Sequence, residues 1–198
     1  MADRKLEIME ATCRVIAREG TDGLRMGTVA SEAGVSSALI HYYFATRDDL
    51  LMQAFDHADA KADQAAEAAL AGLEDPLDRL RRLLLIYSGG GEVFREDWVL
   101  WVEMWRSAIF DDRLAESVRR SNAAWIGQIA GLIEEACANG SLAADTNVED
   151  VALRLAAVVD GLGLQILPGI LTRERAEGLI VGALALELGL PQETRSSA

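Results

Sequence analysis

Apolar residues recur every three or four positions along almost the whole chain, and no alternating apolar–polar run lasts more than a few residues. That spacing predicts helices throughout, an all-α fold. Leu6, Met9, Ala11, Cys13, Ile16 and Ala17 form the apolar face of a first helix, and Gly20 ends it. Thr21-Asp22-Gly23 reads as a turn. Two short helices follow at about 26–33 and 37–43, parted by Gly34. A fourth starts near Thr46, with Asp48 and Asp49 in the first turn where the helix dipole favours acids, and runs through the Ala-rich stretch 58–71. Asp75-Pro76 opens a fifth, an N-cap followed by proline at the first helical position, and Ser88-Gly89-Gly90-Gly91 ends it. Further helices are predicted at about 92–109, 113–138, from Thr146–Asp150 to about 165, and 173–187. The pattern amounts to nine helices, with residues 191–198 (PQETRSSA) expected as a disordered tail.

Composition narrows the class. Of 198 residues, 51% are hydrophobic and 26% charged, which is globular, and the only prolines are Pro76, Pro168 and Pro191, so long helices can run unbroken. No apolar run approaches the roughly 18 residues of a membrane span, and charges interrupt the apolar pattern of the N-terminus, unlike a signal peptide. A cytoplasmic location and no membrane partner are expected. Cys13 and Cys137 lack metal-like spacing and read as small, reduced core residues; no metal and no cofactor are expected.

The net charge of −13 argues against a nucleic-acid partner, but it is unevenly spread. Residues 1–50 hold six Lys/Arg against eight Asp/Glu, and the remainder hold thirteen against twenty-four. The acidity lies mostly outside the N-terminal segment. Any DNA contact there has to rest on a few placed cations and on backbone amides.

Residues 26–44, MGTVASEAGVSSALIHYYF, satisfy the packing needs of a helix-turn-helix. Val29, Ala33, Val35, Ile40 and Tyr43 fill the inward face, Ala30 is small enough for two helices to cross closely, and Gly34 supplies a turn residue that tolerates positive φ. Ser36 is placed to cap the second helix, leaving its first amides for a phosphate. Ser36, Ser37, Ala38, His41 and Tyr42 would face outward. None of these is the long Glu or Lys usual on a solvated helix, and small or aromatic side chains suit close approach to a major groove. The alternative is an ordinary αα-corner within a bundle.

HYYF-x-x-R-D-D-L-L, residues 41–51, resembles the signature of the TetR family, and residues 1–50 resemble that family's DNA-binding domain throughout. The resemblance implies a helix-turn-helix domain over 1–46 and a ligand-binding and dimerisation domain over 47–190. It implies that His41, Tyr42 and Tyr43 contact phosphates and groove, that Ser36, Ser37 and Ala38 open the recognition helix, and that Arg47 stands where the family usually has Lys. Two positions depart from the pattern. Arg25 sits where a capping Ser or Thr is usual and could hold a phosphate itself, and His41 replaces a common Tyr.

In EVFREDWVLWVEMWRSAIF, residues 92–110, Phe94, Trp98, Trp101, Trp105 and Ile109 share one stripe of the helical wheel. Such a stripe is either core or the wall of a ligand pocket, and an aromatic wall accepts cations. Glu103 falls on the opposite, polar arc with Arg106 and Ser107 and is expected in solvent. Asp160, among Ala156, Ala157, Gly163 and Leu164, is costly unless hydrogen-bonded or paired, whether in a dimer interface or against a polar ligand. The stretch from Trp98 to Leu167 resembles the C-terminal domain of betaine-regulator-type repressors, which suggests a small inducer, a cationic one suiting the aromatic positions. Candidate ligand contacts are Tyr87, Trp98, Trp101, Trp105, Trp125 and Asp160. The last two helices, rich in Ala, Leu and Gly, resemble the TetR homodimer interface.

The function this implies is a ligand-responsive repressor. A homodimer would set two reading helices on a near-palindromic operator, and a small-molecule inducer bound among helices four to eight would move the fourth helix and release the DNA. Two alternatives stand beside it: a TetR-like ligand- or protein-binding module that no longer binds DNA, and a helical-bundle enzyme. The enzyme is disfavoured because only His41 and His57 are available, with no Glu-x-x-His pair and no nucleophile beside a recognisable base.

Overall fold

The computed structural model describes residues 2–87 and 92–190, with side chains over 4–87 and 95–190. In chain order the helices are α1 (Ala2–Glu19), α2 (Met26–Ala33), α3 (Ser37–Tyr43), α4 (Arg47–Leu70), α5 (Pro76–Tyr87), α6 (Glu92–Ala108), α7 (Asp112–Ala138), α8 (Val148–Ile166) and α9 (Arg173–Glu187). A single 3-10 turn, Thr21–Gly23, links α1 to α2. Among the described residues there is no strand, and the fold is all-α. Asp75 accepts from the Leu77 and Asp78 amides ahead of Pro76, Asn147 accepts from Asp150, and Thr172 from Arg175, side-chain caps that fix the starts of α5, α8 and α9. The expected tail 191–198 and the Ser88–Gly91 break lie outside the described residues.

The chain forms two compact units. The first comprises residues 1–65 and 90–121, the second 66–89 and 122–198. In the first, α1 packs on α6 and α2. Its core joins Ile8, Val15, Ile16, Leu24, Val29, Ile40, Phe44, Leu50, Leu51 and Phe55 to Leu100 and Met104. One seam of that unit is polar: the buried hydroxyls of Ser117 and Ser121 on α7 donate to Asp56 (2.8 Å) and Asp59 (2.5 Å) on α4. Cys13 packs partly buried against this core, its Sγ 3.6 Å from the Ala54 carbonyl, and burial pushes its thiol up to about 12, which keeps it an unreactive thiol.

In the second unit α8 packs on α9, and α5 contacts both. Leu80, Leu83 and Leu84 of α5, Ile129, Ile133 and Ala136 of α7, Val151, Leu155 and Val159 of α8, and Ile180 and Leu184 of α9 make its core.

Candidate nucleic-acid interface

Helices α2 and α3 cross over a fully buried seam. Val29 and Ile40 are completely buried and Ala30 nearly so, while Ala33, Val35 and Tyr43 pack partly buried against the same core. Gly34 makes the corner at φ 65°, a left-handed conformation costly for other residues, and its amide and that of Val35 return to α2 carbonyls. Ser36 caps α3 by accepting from the Leu39 amide at 3.2 Å. Arg25 occupies the N-cap position of α2 with extended backbone and no side-chain cap, as the missing Ser or Thr implies.

The outward face of α3 carries no Lys, Arg, Asp or Glu. Ser36, Ser37, Ala38 and His41 are exposed, and Tyr42 is 68% exposed with its ring edge-on to Tyr43, centroids 5.1 Å apart. Tyr43 itself turns into the packing and only partly reaches solvent.

The motif after α3 fixes where α4 begins. Phe44 is completely buried and closes α3. Thr46 accepts from the Asp49 amide at 3.0 Å, and Asp49 in return accepts from the Ala45 amide at 3.0 Å, a reciprocal cap shifted by one residue from the usual box. Arg47 turns back to donate to the carbonyls of Leu24, at 2.9 Å, and Thr21. Its guanidinium thereby joins the first turn of α4 to the segment between α1 and α2.

Thr21 is held from the other side by α6. Its amide and hydroxyl donate to one oxygen of Glu103 at 2.8 and 2.6 Å, and Arg106 reaches the same hydroxyl at 2.6 Å. Glu103, expected in solvent, is instead only 20% exposed and bound to a turn 82 residues away. A helical wheel ranks its arc as polar but carries no sign of the turn that covers it. Burial alone would push Glu103 up; the hydrogen bonds from Thr21 and Arg106 outweigh it and hold the carboxyl below the usual range.

Most cations near the reading helices are engaged. Glu32 on α2 holds Arg14 at 3.0 Å and Arg18 at 3.1 Å, and Arg4 pairs with Glu7. Lys5 lies 5.6 Å from the centroid of Phe44. Arg25 is exposed and makes no ion pair with the described residues.

The candidate ligand residues fall into two groups, one per unit. In the first, Trp98 is buried, Trp101 stacks edge-on to Phe55 at 4.8 Å, and Trp105 follows Trp101 at 6.2 Å. The stripe is core at its Trp98 end and surfaces at Ile109, which is 74% exposed. The Phe94 side chain lies outside the described residues. In the second unit Tyr87 and Trp125 are in contact at 4.5 Å. Asp160 is half-buried on α8, and burial alone raises its carboxyl to about 6.

Two family models account for most of the chain. Residues 8–54 match the tetR family of bacterial regulatory proteins, and residues 76–189 match the C-terminal domain of BetI-type transcriptional repressors. The chain belongs to the TetR family. This TetR protein is therefore a transcriptional regulator and not an enzyme. It is 25% identical over 183 residues to the regulator BetI of Brucella suis, spanning 82% of this chain and 91% of that one. BetI of Brucella anthropi matches at 28% over 99 residues, so the chain spans about half the length of that relative. Among solved structures, a TetR-family regulator from Rhodococcus sp. superposes with a TM-score of 0.86 at 30% identity, covering 95% of this chain and all of that one. A transcriptional regulator from Saccharomonospora viridis, solved in complex with choline, superposes at 0.84 with 26% identity, covering 98% and 100%. No helix among the described residues is long and apolar enough to cross a membrane.

Proposed function

We propose that this regulator is a cytoplasmic homodimeric repressor that binds a near-palindromic operator and leaves it when a small cationic inducer binds. The observation that carries the reading is the outward face of α3: Ser36, Ser37, Ala38, His41 and Tyr42 stand exposed on a corner whose other face is fully packed. A helix kept free of Glu and Lys on its exposed side is suited to a groove rather than to bulk water. In this reading residues 1–46 bind DNA, with Arg25 adding a phosphate contact while Tyr43 and Arg47 hold the corner and the start of α4 in place, and residues 47–190 bind the inducer and dimerise.

The proposed inducer class is a quaternary ammonium, with choline as the first candidate because a 26% identical neighbour was solved with choline. Tyr87, Trp98, Trp101, Trp105 and Trp125 are the aromatic groups assigned to meet the cation in this reading, and Asp160 is a carboxylate with no charged group shifting it. Dimerisation is assigned to α8 and α9, where Leu153, Leu164, Leu179 and Leu186 are exposed.

The test is selection of duplexes from random-sequence DNA, followed by anisotropy titrations of the recovered duplex over a salt series with and without choline. Recovery of a two-fold symmetric sequence whose affinity falls on adding choline is the expected result. A duplex bound equally well with choline sinks the inducer reading. Failure to recover any duplex favours the alternative of a TetR-like module without DNA binding, for which the −2 net charge of residues 1–50 is the supporting observation.

A further inference from the structure

The major groove is read in detail by side chains that make two hydrogen bonds to one base: Arg or Lys on guanine, Asn or Gln on adenine, Asp or Glu accepting from cytosine. Residues 26–46 contain no Arg, Lys, Asn, Gln or Asp, and their only charged residue, Glu32, is occupied by Arg14 and Arg18. The exposed face of α3 offers two hydroxyls, the Ala38 methyl, one imidazole and the Tyr42 ring. Hydroxyls bond any base edge and discriminate little. A methyl and an aromatic ring have one distinctive partner in the major groove, the C5-methyl of thymine.

The cation inventory points the same way. Arg4, Arg14, Arg18 and Arg47 are held by Glu7, by Glu32 and by backbone carbonyls, which leaves Arg25 and Lys5 as the cations of each head with no ion pair among the described residues. Phosphate neutralisation is therefore small.

We infer that this regulator reads its operator through thymine methyls set against Ala38 and Tyr42, with few phosphate contacts and no two-bonded base contact from α3. The inference rests on the repressor reading above and names the class of DNA that site takes. Its operator half-sites carry fixed thymines, and the remaining sequence preference comes from DNA shape and deformability.

The experiment uses the duplex recovered by selection from random-sequence DNA. Replacing the invariant thymines by uracil removes only the methyl groups. The expected loss is about fourfold in affinity per methyl, the worth of one buried methyl group. Ala38→Gly is expected to give a similar loss on the thymine duplex and no additional loss on the uracil duplex. Because glycine loosens a short helix, Ala38→Ser, which retains the β-carbon, is measured alongside and should keep the sensitivity to uracil. The salt dependence of log affinity should have a slope of about −4 or shallower for a dimer with two such cations per head. Equal affinity for thymine and uracil duplexes overturns the inference, as does an invariant guanine whose 7-deaza analogue abolishes binding, or a slope near −8. Recovery of no duplex overturns both this inference and the repressor reading, and it appears before any base is substituted.

Discussion

Glu103 and Thr21 are joined by two hydrogen bonds to a single carboxylate oxygen, 2.8 Å from the amide and 2.6 Å from the hydroxyl. Thr21 is 2% exposed, and its carbonyl is taken by Arg47 at the first turn of α4. One residue thus ties α6, which carries three tryptophans, to the start of α4 and to the turn that precedes the reading helices. Glu103→Ala leaves the Thr21 amide buried without its acceptor. A destabilisation of about 1–3 kcal/mol is expected in urea unfolding, the usual cost of an orphaned buried polar group. A wild-type midpoint in that variant would show that the bonds are dispensable. The Glu103 carboxyl is also held low in the folded protein, so its contribution to stability is present above the ordinary glutamate range and is lost as pH falls through the lowered folded value.

Asp97 and Asp160 work in the opposite sense. Burial raises both carboxyls from 3.8 to about 6, Asp97 in the first unit and Asp160 in the second. Between about pH 4 and 6 the folded state therefore holds more protons than the unfolded chain, and stability falls as pH rises across that window and levels off above it. Asp97→Asn is expected to flatten part of this fall and to be more stable than wild type at pH 7. Parallel urea titrations of the two proteins at pH 4 and pH 7 make the comparison. An unchanged difference between the two pH values would place the Asp97 carboxyl in an ordinary solvated setting.

Phe55 is 1% exposed and meets the Trp101 ring edge-on at 4.8 Å. Phe55→Ala removes a large ring from a closed core and is expected to cost about 3–5 kcal/mol. Trp105→Ala, at a half-buried position farther along the same stripe, should cost clearly less. Thermal unfolding of the two variants tests the gradient, and equal losses would mean that the stripe is uniformly core.

How much of this was readable in the sequence depends on distance along the chain. Gly34, Ser36 and the Thr46–Asp49 pair act within four residues of themselves, so their residue types and spacing announce the corner and both helix starts. Asp160 stood out because a carboxylate among Ala, Gly and Leu has few local ways to be solvated. The Glu103–Thr21 bonds left no such trace, since a glutamate on a polar arc looks the same whether water or a distant turn covers it. The wheel also overstated the aromatic stripe: Trp98 and Ile109 share an arc, yet one is buried and the other 74% exposed. Angular position around a helix says nothing of where along the helix the packing partner stops.

Leu186 on α9 is 75% exposed, and Leu153, Leu164 and Leu179 also meet solvent in the second unit. Apolar side chains grouped on two helices are suited to a partner surface. Leu186→Glu is expected to leave the helical content and unfolding cooperativity of the chain in place while shifting sedimentation toward a monomer. A variant that still sediments as wild type would move the dimer interface away from this part of α9.

Tyr42 gives the sharpest separation of DNA contact from folding. Its ring is 68% exposed, and the aromatic ring beside it, Tyr43, keeps its own place through contact with the first-unit core. Truncation to alanine therefore removes almost no buried surface, and the unfolding midpoint should shift by less than about 0.5 kcal/mol, as for ordinary surface substitutions. If the α3 face enters the groove, the same truncation removes its largest contact surface, and specific affinity for the selected duplex should fall at least tenfold at fixed salt. Arg25→Ala should instead weaken binding to all sequences about equally and reduce the salt slope by about one per head. Wild-type affinity in Tyr42→Ala, with the fold intact, would place the DNA-reading surface on another face of this corner.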